Sequence, residues 1–338
     1  MSEATTTATR TMTAWRQLHY GGPEAVRCET IAVPAPRRGE VLVRLEASSI
    51  NSGDIHLMRG EPHMVRMFFG LRRPRVAGRG MDLAGTIVAT GADAADLGIG
   101  DRVVGAHNDA LAEYIAVPAK RLSRIPVGVS ATDAATLPIA GNTAITILDR
   151  CRVGVGSRVL VIGAGGGVGT LTVQLAVERG AEVWATCGAR AEQTLQRLGA
   201  TRTFDYRTTD LAALPAGTFD AVVDIAGEPP LTLLRGLLRN GGSVALVGGE
   251  GGRVLGPLPR MVRAMLATRR GRTFRSIAAV TRTSVTEQLL ELTASGRLTP
   301  AIERTFTLAD AQAALAHVDA GHTLGKVVVQ SGAAGAQG

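Results

Sequence analysis

The sequence predicts an α/β protein of two units: an antiparallel, barrel-like unit, then a doubly wound parallel sheet with helices between its strands. Three observations predict it. From Thr13 to about Pro126 the chain runs in short apolar segments broken by Gly and Pro; from Gly154 such segments alternate with helical ones; and GAGGGVG at 163–169 stands where a strand-like run meets a helix-like run. A length of 338 residues suits two domains, and 45% hydrophobic content is enough to build their cores.

In order, VLVRLEAS at 41–48, LAGTIVATG at 83–91, DRVVGA at 101–106 and AEYIAVP at 112–118 read as strands of the first unit. The Ala-rich ATDAATLPIAG reads as a helix. SRVLVIG at 157–163 is a buried strand by its unbroken apolar run. VGTLTVQLAVERG at 168–180 places Val168, Leu171 and Leu175 on one helical face before a terminating Gly. AEVWATC at 181–187, a helix around ARAEQTLQRLG, TRTFDY, FDAVVDIAG at 219–227, a helix near 229–239 and GSVALVGG at 242–249 continue the alternation that a parallel sheet requires. IERTFTL, DAQAALAHVDAG and GKVVVQ return to mixed strand and helix, and are expected to fold back on the first unit. The resulting division is a tail at 1–12, a first unit of 13–128 with 297–330, a second of 129–296, and a flexible tail at 331–338.

The chain has 37 Lys and Arg against 29 Asp and Glu, a net charge of +8. Only Lys120 and Lys326 are lysines. With aromatics at 3%, no stacking rings are interleaved with the basic residues, so nucleic acid is not an expected partner. Cys28, Cys151 and Cys187 are far apart and form no CxxC pair, which excludes a disulfide framework or a zinc site made of cysteines alone. The first dozen residues lack the apolar core of a secretory signal, and no apolar run approaches the roughly 18 residues of a membrane span. A soluble chain in a reducing cytoplasm is the expectation.

The glycine loop carries the strongest chemical signal. Between strand and helix, Gly163, Gly166, Gly167, Val168 and Gly169 would let backbone approach a pyrophosphate at the unpaired N–H groups of a helix start, and let helix and sheet pack closely. After the second strand, where a carboxylate would grip the ribose of NAD, the chain has Cys187, Gly188, Ala189 and Arg190. A guanidinium pairs with a 2′-phosphate, so NADPH is the expected cofactor, with Tyr206 and Arg207 flanking the same phosphate and the adenine. Ala226, Gly227, Gly248 and Gly249 stand at strand C-termini, where such a sheet binds its dinucleotide.

ASSINSGDIHLMRG, GMDLAGTIVATG, GDRVVG, AEYIAVP, LPIAGNTAITIL, the glycine loop and GKVVV occur in an order that resembles the medium-chain dehydrogenase/reductases, in the zinc-independent quinone oxidoreductase-like and enoyl reductase-like branch. The likeness runs from about Thr13 to Gln330. It implies a GroES-like catalytic β-barrel domain, a Rossmann domain, a cleft between them and a homodimer. It places Asn51 beside nicotinamide ribose and substrate, Thr143 near the cofactor, and Lys326 reaching toward the same cleft. Where zinc-dependent relatives have a Cys three residues before an Asp, this chain has Asn51 before Asp54; where they have Gly-His-Glu it has Gly80, Met81, Asp82. No metal is therefore expected, and without that Lewis acid simple alcohol oxidation is disfavoured. What remains is hydride transfer to an enone, enal or quinone, whose anionic product needs hydrogen-bond donors and a proton.

Asn51 is the candidate donor. His63 occupies the position of a family Tyr and is the candidate acid, against the commoner fate of a His satisfied by backbone; Asp54 and His56 are nearby candidates, with Asp54 expected instead to pair with Arg59. Two further readings stand beside the reductase: a non-catalytic NADPH-binding sensor, and a biosynthetic enzyme using the scaffold for cyclisation or rearrangement. The segment 256–275 joins Met261, Val262, Met265 and Leu266 to six Arg. It is read as a cover over the cleft for a small apolar substrate, with weak contact to an anionic membrane surface as the competing reading.

Overall fold

In the computed structural model, residues 10–94, 96–247, 254–268, 271–278 and 280–331 are described. Strands β1 (Thr11–Gln17) and β2 (Val26–Ala32) form an antiparallel pair. There follow β3 (Glu40–Ile50), α1 (Ser52–Arg59), α2 (Val65–Phe69), β4 (Asp82–Thr90), β5 (Arg102–Ala106), β6 (Tyr114–Pro118) and β7 (Leu122–Arg124). Helices α3 (Ala131–Ala135) and α4 (Pro138–Arg150) lead into β8 (Arg158–Ile162), α5 (Gly167–Glu178), β9 (Glu182–Cys187), α6 (Glu192–Arg197), β10 (Arg202–Asp205), β11 (Phe219–Asp224), α7 (Leu231–Leu237) and β12 (Leu238–Leu246). Then come α8 (Leu258–Ala267), β13 (Thr273–Ser276), α9 (Thr283–Ala294), β14 (Ile302–Thr307), α10 (Ala311–Asp319) and β15 (Lys326–Gln330).

Strands β8 to β13 form one parallel sheet in the order β10-β9-β8-β11-β12-β13, the reversal of order falling between β8 and β11. Such a crevice is where doubly wound sheets bind ligands. The continuous apolar strands follow from burial on both faces: Val159, Leu160 and Val161 are fully covered. The other large sheet runs β14-β15-β3-β4-β5-β7, with β6 also paired to β3. The C-terminal strand thus inserts beside β3, as the tail's texture suggested.

Four features differ from the sequence reading. The first strand starts at Thr11 inside the expected tail, because Met12 is buried and pairs with Ile31. Helix α3 packs on β3 and β4, so the first unit continues past 128. GSVALVGG is not the last strand of its sheet, since β13 adds a sixth along its edge. At the C-terminal end, Ser331 is still tied down, its N–H donating to Glu46 O at 3.0 Å. Among the described residues no helix is long and apolar enough to cross a membrane.

Candidate active site

A cleft of about 870 Å³ lies between the two sheets. One wall comes from the first unit: Asn51, Ile55, His56, Arg59, Met81 and His107. The other comes from α4 and the parallel sheet's crevice: Ile139, Thr143, Val168, Ile225, Ala226 and Val247. The volume is that of a small-molecule or cofactor site, and its lining mixes apolar side chains with polar and charged ones.

The parallel-sheet wall is made of backbone. Gly163 adopts φ +81°, a left-handed turn that side chains resist, at the end of β8. A Cβ on Gly169 would stand 2.5 Å from Ala164 O, so glycine is what lets α5 approach the strand. A Cβ on Gly166 would meet nothing within 4 Å, leaving open space at the N-terminus of a twelve-residue helix, the setting that receives a phosphate. Gly167 has another reason: its Cβ would strike Lys326 Cδ at 2.5 Å. The loop is also sewn to the first unit, Gly325 N–H donating to Gly165 O at 2.7 Å. These residues and the open space at Gly166 fit a dinucleotide.

The opposite wall is backed by a buried network of side chains, of which Asn51 lines the cleft. Lys326, 4% exposed, donates from Nζ to Asn51 Oδ1 at 2.6 Å and lies 3.5 Å from Asp82 Oδ2. Asn51 Nδ2 donates to Asp82 Oδ2 at 2.8 Å; Ser49 Oγ and Ile139 N also donate to that carboxylate. Burial pushes the Asp82 carboxyl up and the Lys326 ammonium down, and each charge partly offsets the effect on the other. Asn51 precedes α1, and Asp54 three residues on accepts its N–H at 2.8 Å, as an acidic N3 residue does at a helix start. Desolvation drives the buried Asp54 up to about 7.

Several expected residues sit elsewhere. The His63 side chain is exposed and outside the cleft lining; His56 and His107 line it instead. Asp54 does not pair with Arg59, which holds Asp319 of α10 through Nε at 2.6 Å, because Asp54 faces inward from the first turn of α1. The Asn51 amide is spent on Asp82 and Lys326, which makes it a fixed part of the wall. Arg190 donates to Glu303 Oε1 at 2.6 Å, while Tyr206 and Arg207 lie beside Gly188. Ala226 lines the cleft, but the Gly227 N–H is taken by Asp224 Oδ1 at 2.8 Å. Gly248 and Gly249 lie outside the described residues. Helix α8 does not cover the cleft: Val262, Met265 and Leu266 are exposed, and Gly256 alone of this segment lines the cavity. Its Arg260 is a pin instead, donating to Asp224 Oδ2 at 2.6 Å and Pro229 O at 2.8 Å.

Asp82, Arg260 and Lys326 as linked groups were missed because their partners are remote in sequence. One signal existed: in a chain whose other basic residues are almost all Arg, Lys326 marks a place where a slim stem and compact charge are needed.

A glycine-lined crevice facing a buried polar network across a cleft defines a two-domain nicotinamide oxidoreductase. Residues 37–127 match the alcohol dehydrogenase GroES-like domain and 198–329 the zinc-binding dehydrogenase family. The chain is 33% identical over 324 residues to the chloroplastic quinone-oxidoreductase QR1 of Triphysaria versicolor, covering 92% of this chain and 95% of that protein. It is 29% identical over 333 residues to an NADPH-dependent alkenal/one oxidoreductase, chloroplastic, of Arabidopsis thaliana, covering 94% and 79%. The solved quinone oxidoreductase from Coxiella burnetii superposes with a TM-score of 0.84 at 26% identity, over 95% of this chain and 99% of that one. The chain belongs to the quinone oxidoreductase-like branch of the medium-chain dehydrogenase/reductase superfamily and is an oxidoreductase.

The second family's description raises a zinc ion, and the donor set does not fit one. Asn51 and Met81 stand where the resemblance would put Cys and His. Among the described residues no three His, Cys, Asp or Glu side chains are grouped to hold a metal. Asp82 is already answered by the ammonium of Lys326.

Proposed function

We propose that this chain is a zinc-independent, NADPH-dependent reductase of conjugated carbonyls (enones and enals) or quinones. The observation that carries the reading is the cleft between an open glycine cradle and a wall that has Asn51 and Met81 in place of metal ligands. Reduced nicotinamide, when bound, supplies the hydride. The residues do the rest: Ile55, Met81, Ile139 and Val247 offer apolar surface to a conjugated substrate, and the Lys326, Asn51, Asp82 network keeps their wall rigid.

The proton comes from the lining. His107 Nδ1 lies 2.8 Å from Asn108 O, a carbonyl that only accepts, so Nδ1 carries hydrogen and Nε2 is the nitrogen that exchanges a proton. Preference for NADPH rests on Arg207 and Tyr206 at Gly188, the absence of a carboxylate at 187–190, and the relative whose name specifies NADPH. Arg190 joins them by exchanging Glu303 for phosphate.

The test is consumption of NADPH and NADH with a panel of enones, enals and quinones, with product analysis. Turnover with NADPH and saturation of the double bond or quinone are expected. His107→Gln should lower kcat by about 10²-fold while leaving NADPH affinity unchanged. Bound NADPH with no turnover on any member of the panel would defeat the reading, as would activity that requires added zinc.

A further inference from the structure

Two stretches of this chain contain no acidic residue over long spans: 62–81, between Glu61 and Asp82, and 251–286, between Glu250 and Glu287. Together they hold 13 of the 37 basic residues and none of the 29 acidic ones, leaving the rest of the chain with 24 basic against 29 acidic. In sequence the excess positive charge therefore falls within these two stretches, where Arg79 is buried and Arg260 is answered by Asp224. The same stretches hold twelve of the eighteen large apolar side chains exposed among the described residues, including Met67, Phe68 and Leu71 around α2, and Val262, Met265 and Leu266 on α8.

The fold brings the two together. Met64 N–H donates to Val254 O at 3.1 Å, and Gly256 packs on Pro62, its Cβ position only 2.4 Å from Pro62 Cγ. Pro62 and Gly256 both line the cleft, so the joint patch borders the cavity wall. Arg72, Arg73 and Arg75 are exposed and form no ion pair among the described residues; Arg263 donates only to a backbone carbonyl of its own helix.

We propose that this patch is a docking surface for an anionic lipid bilayer, α2 and α8 seating their apolar side chains at the headgroup boundary while the arginines meet lipid phosphates. Helices with one apolar face and a strongly basic surround bind in this way. A second copy fits poorly. A two-fold interface would lay arginine-rich surface against itself, with no acidic residue within either stretch to answer it. Docking is independent of the reductase reading, because it is measured without turnover. If both hold, an apolar substrate dissolved in the bilayer meets the cleft at its wall.

The experiment is sedimentation of the full chain with sucrose-loaded vesicles, phosphatidylcholine alone or with about a third phosphatidylglycerol, alongside light scattering without lipid. Binding to the anionic vesicles only is expected, and it should fall steeply at about 1 M salt, where the Debye length is roughly 3 Å. Arg72→Ser/Arg73→Ser/Arg75→Ser should weaken it on the order of a hundred-fold, at about five-fold per charge. Met265→Ser/Leu266→Ser, which leaves the charge unchanged, should weaken it at least about ten-fold. All these positions are exposed, and unchanged circular dichroism establishes that each variant folds. The proposal is overturned by equal binding to neutral vesicles, by wild-type indifference to anionic ones, by variants that bind as well as wild type, or by a dimer that Met265→Ser/Leu266→Ser dissociates.

Discussion

The two walls of the cleft are built from different materials. On the parallel-sheet side the surface is main chain, shaped by Gly163, Gly166 and Gly169 within seven consecutive residues. On the other side Asn51 lines the cleft, backed by the buried side chains of Asp54, Asp82 and Lys326, a set that spans most of the sequence. A wall of backbone is specified where it stands, because a missing Cβ acts locally. A wall of buried charge exists only after folding has joined its members, and it then depends on every one of them.

That contrast predicts its own largest failure. Lys326→Met should destabilise the protein by about 3–5 kcal/mol, since it strands the buried Asp82 without its cation. Adding Asp82→Asn should restore much of the loss. Urea unfolding of the single and double variants measures both, and additive losses would mean that the two groups do not form a unit.

On the backbone wall the glycines should separate. Gly169→Ala forces a methyl against Ala164 O and should cost about 1–3 kcal/mol of stability. Gly166→Ala meets open space and an ordinary φ of −82°, so stability should change by less than about 0.5 kcal/mol while dinucleotide affinity falls. Thermal midpoints and NADPH titrations distinguish the two; equal loss of stability would show that both are packing positions.

At the far end of the crevice, Arg190→Ala and Arg207→Ala should each weaken NADPH more than NADH, by about 1–3 kcal/mol. Arg207 should show the larger effect, because Arg190 must first release Glu303. Equal losses for both cofactors would remove the case for phosphate recognition.

The side-chain wall also predicts a slope in pH. Burial raises Asp54 from an ordinary 3.8 to about 7, so the folded chain holds a proton there that the unfolded chain has lost. Its contribution to stability is present below about pH 4 and is lost as pH rises to about 7. Asp54→Asn keeps an acceptor for Asn51 N–H and should flatten that fall, measured as urea midpoints at pH 5 and pH 7.5; parallel curves would refute it.

Helix α8 shows where pattern reading stops. Its apolar and basic residues were legible in the sequence. The direction it faced was not. Arg260, read as one of six surface charges, is the residue that fixes the helix, through Asp224 at the end of β11. In the same way His63 was placed by analogy of position, while His107, at the end of β5, reaches the cleft. Neither could be ranked from spacing, since both lie in loops whose course depends on neighbouring elements.

Sequence alone determined the two-unit α/β architecture, the parallel alternation from β8 to β12 and the glycine cradle, because apolar periodicity and the absence of a Cβ act over a few residues. Tertiary structure decided which polar groups share the cleft wall, that Lys326 answers Asp82 beneath Asn51, and that two acid-free stretches meet in one basic, apolar patch. Those facts rest on burial and on contacts between residues up to 275 positions apart, and a charge's role in a low-dielectric interior is set by the partner that reaches it.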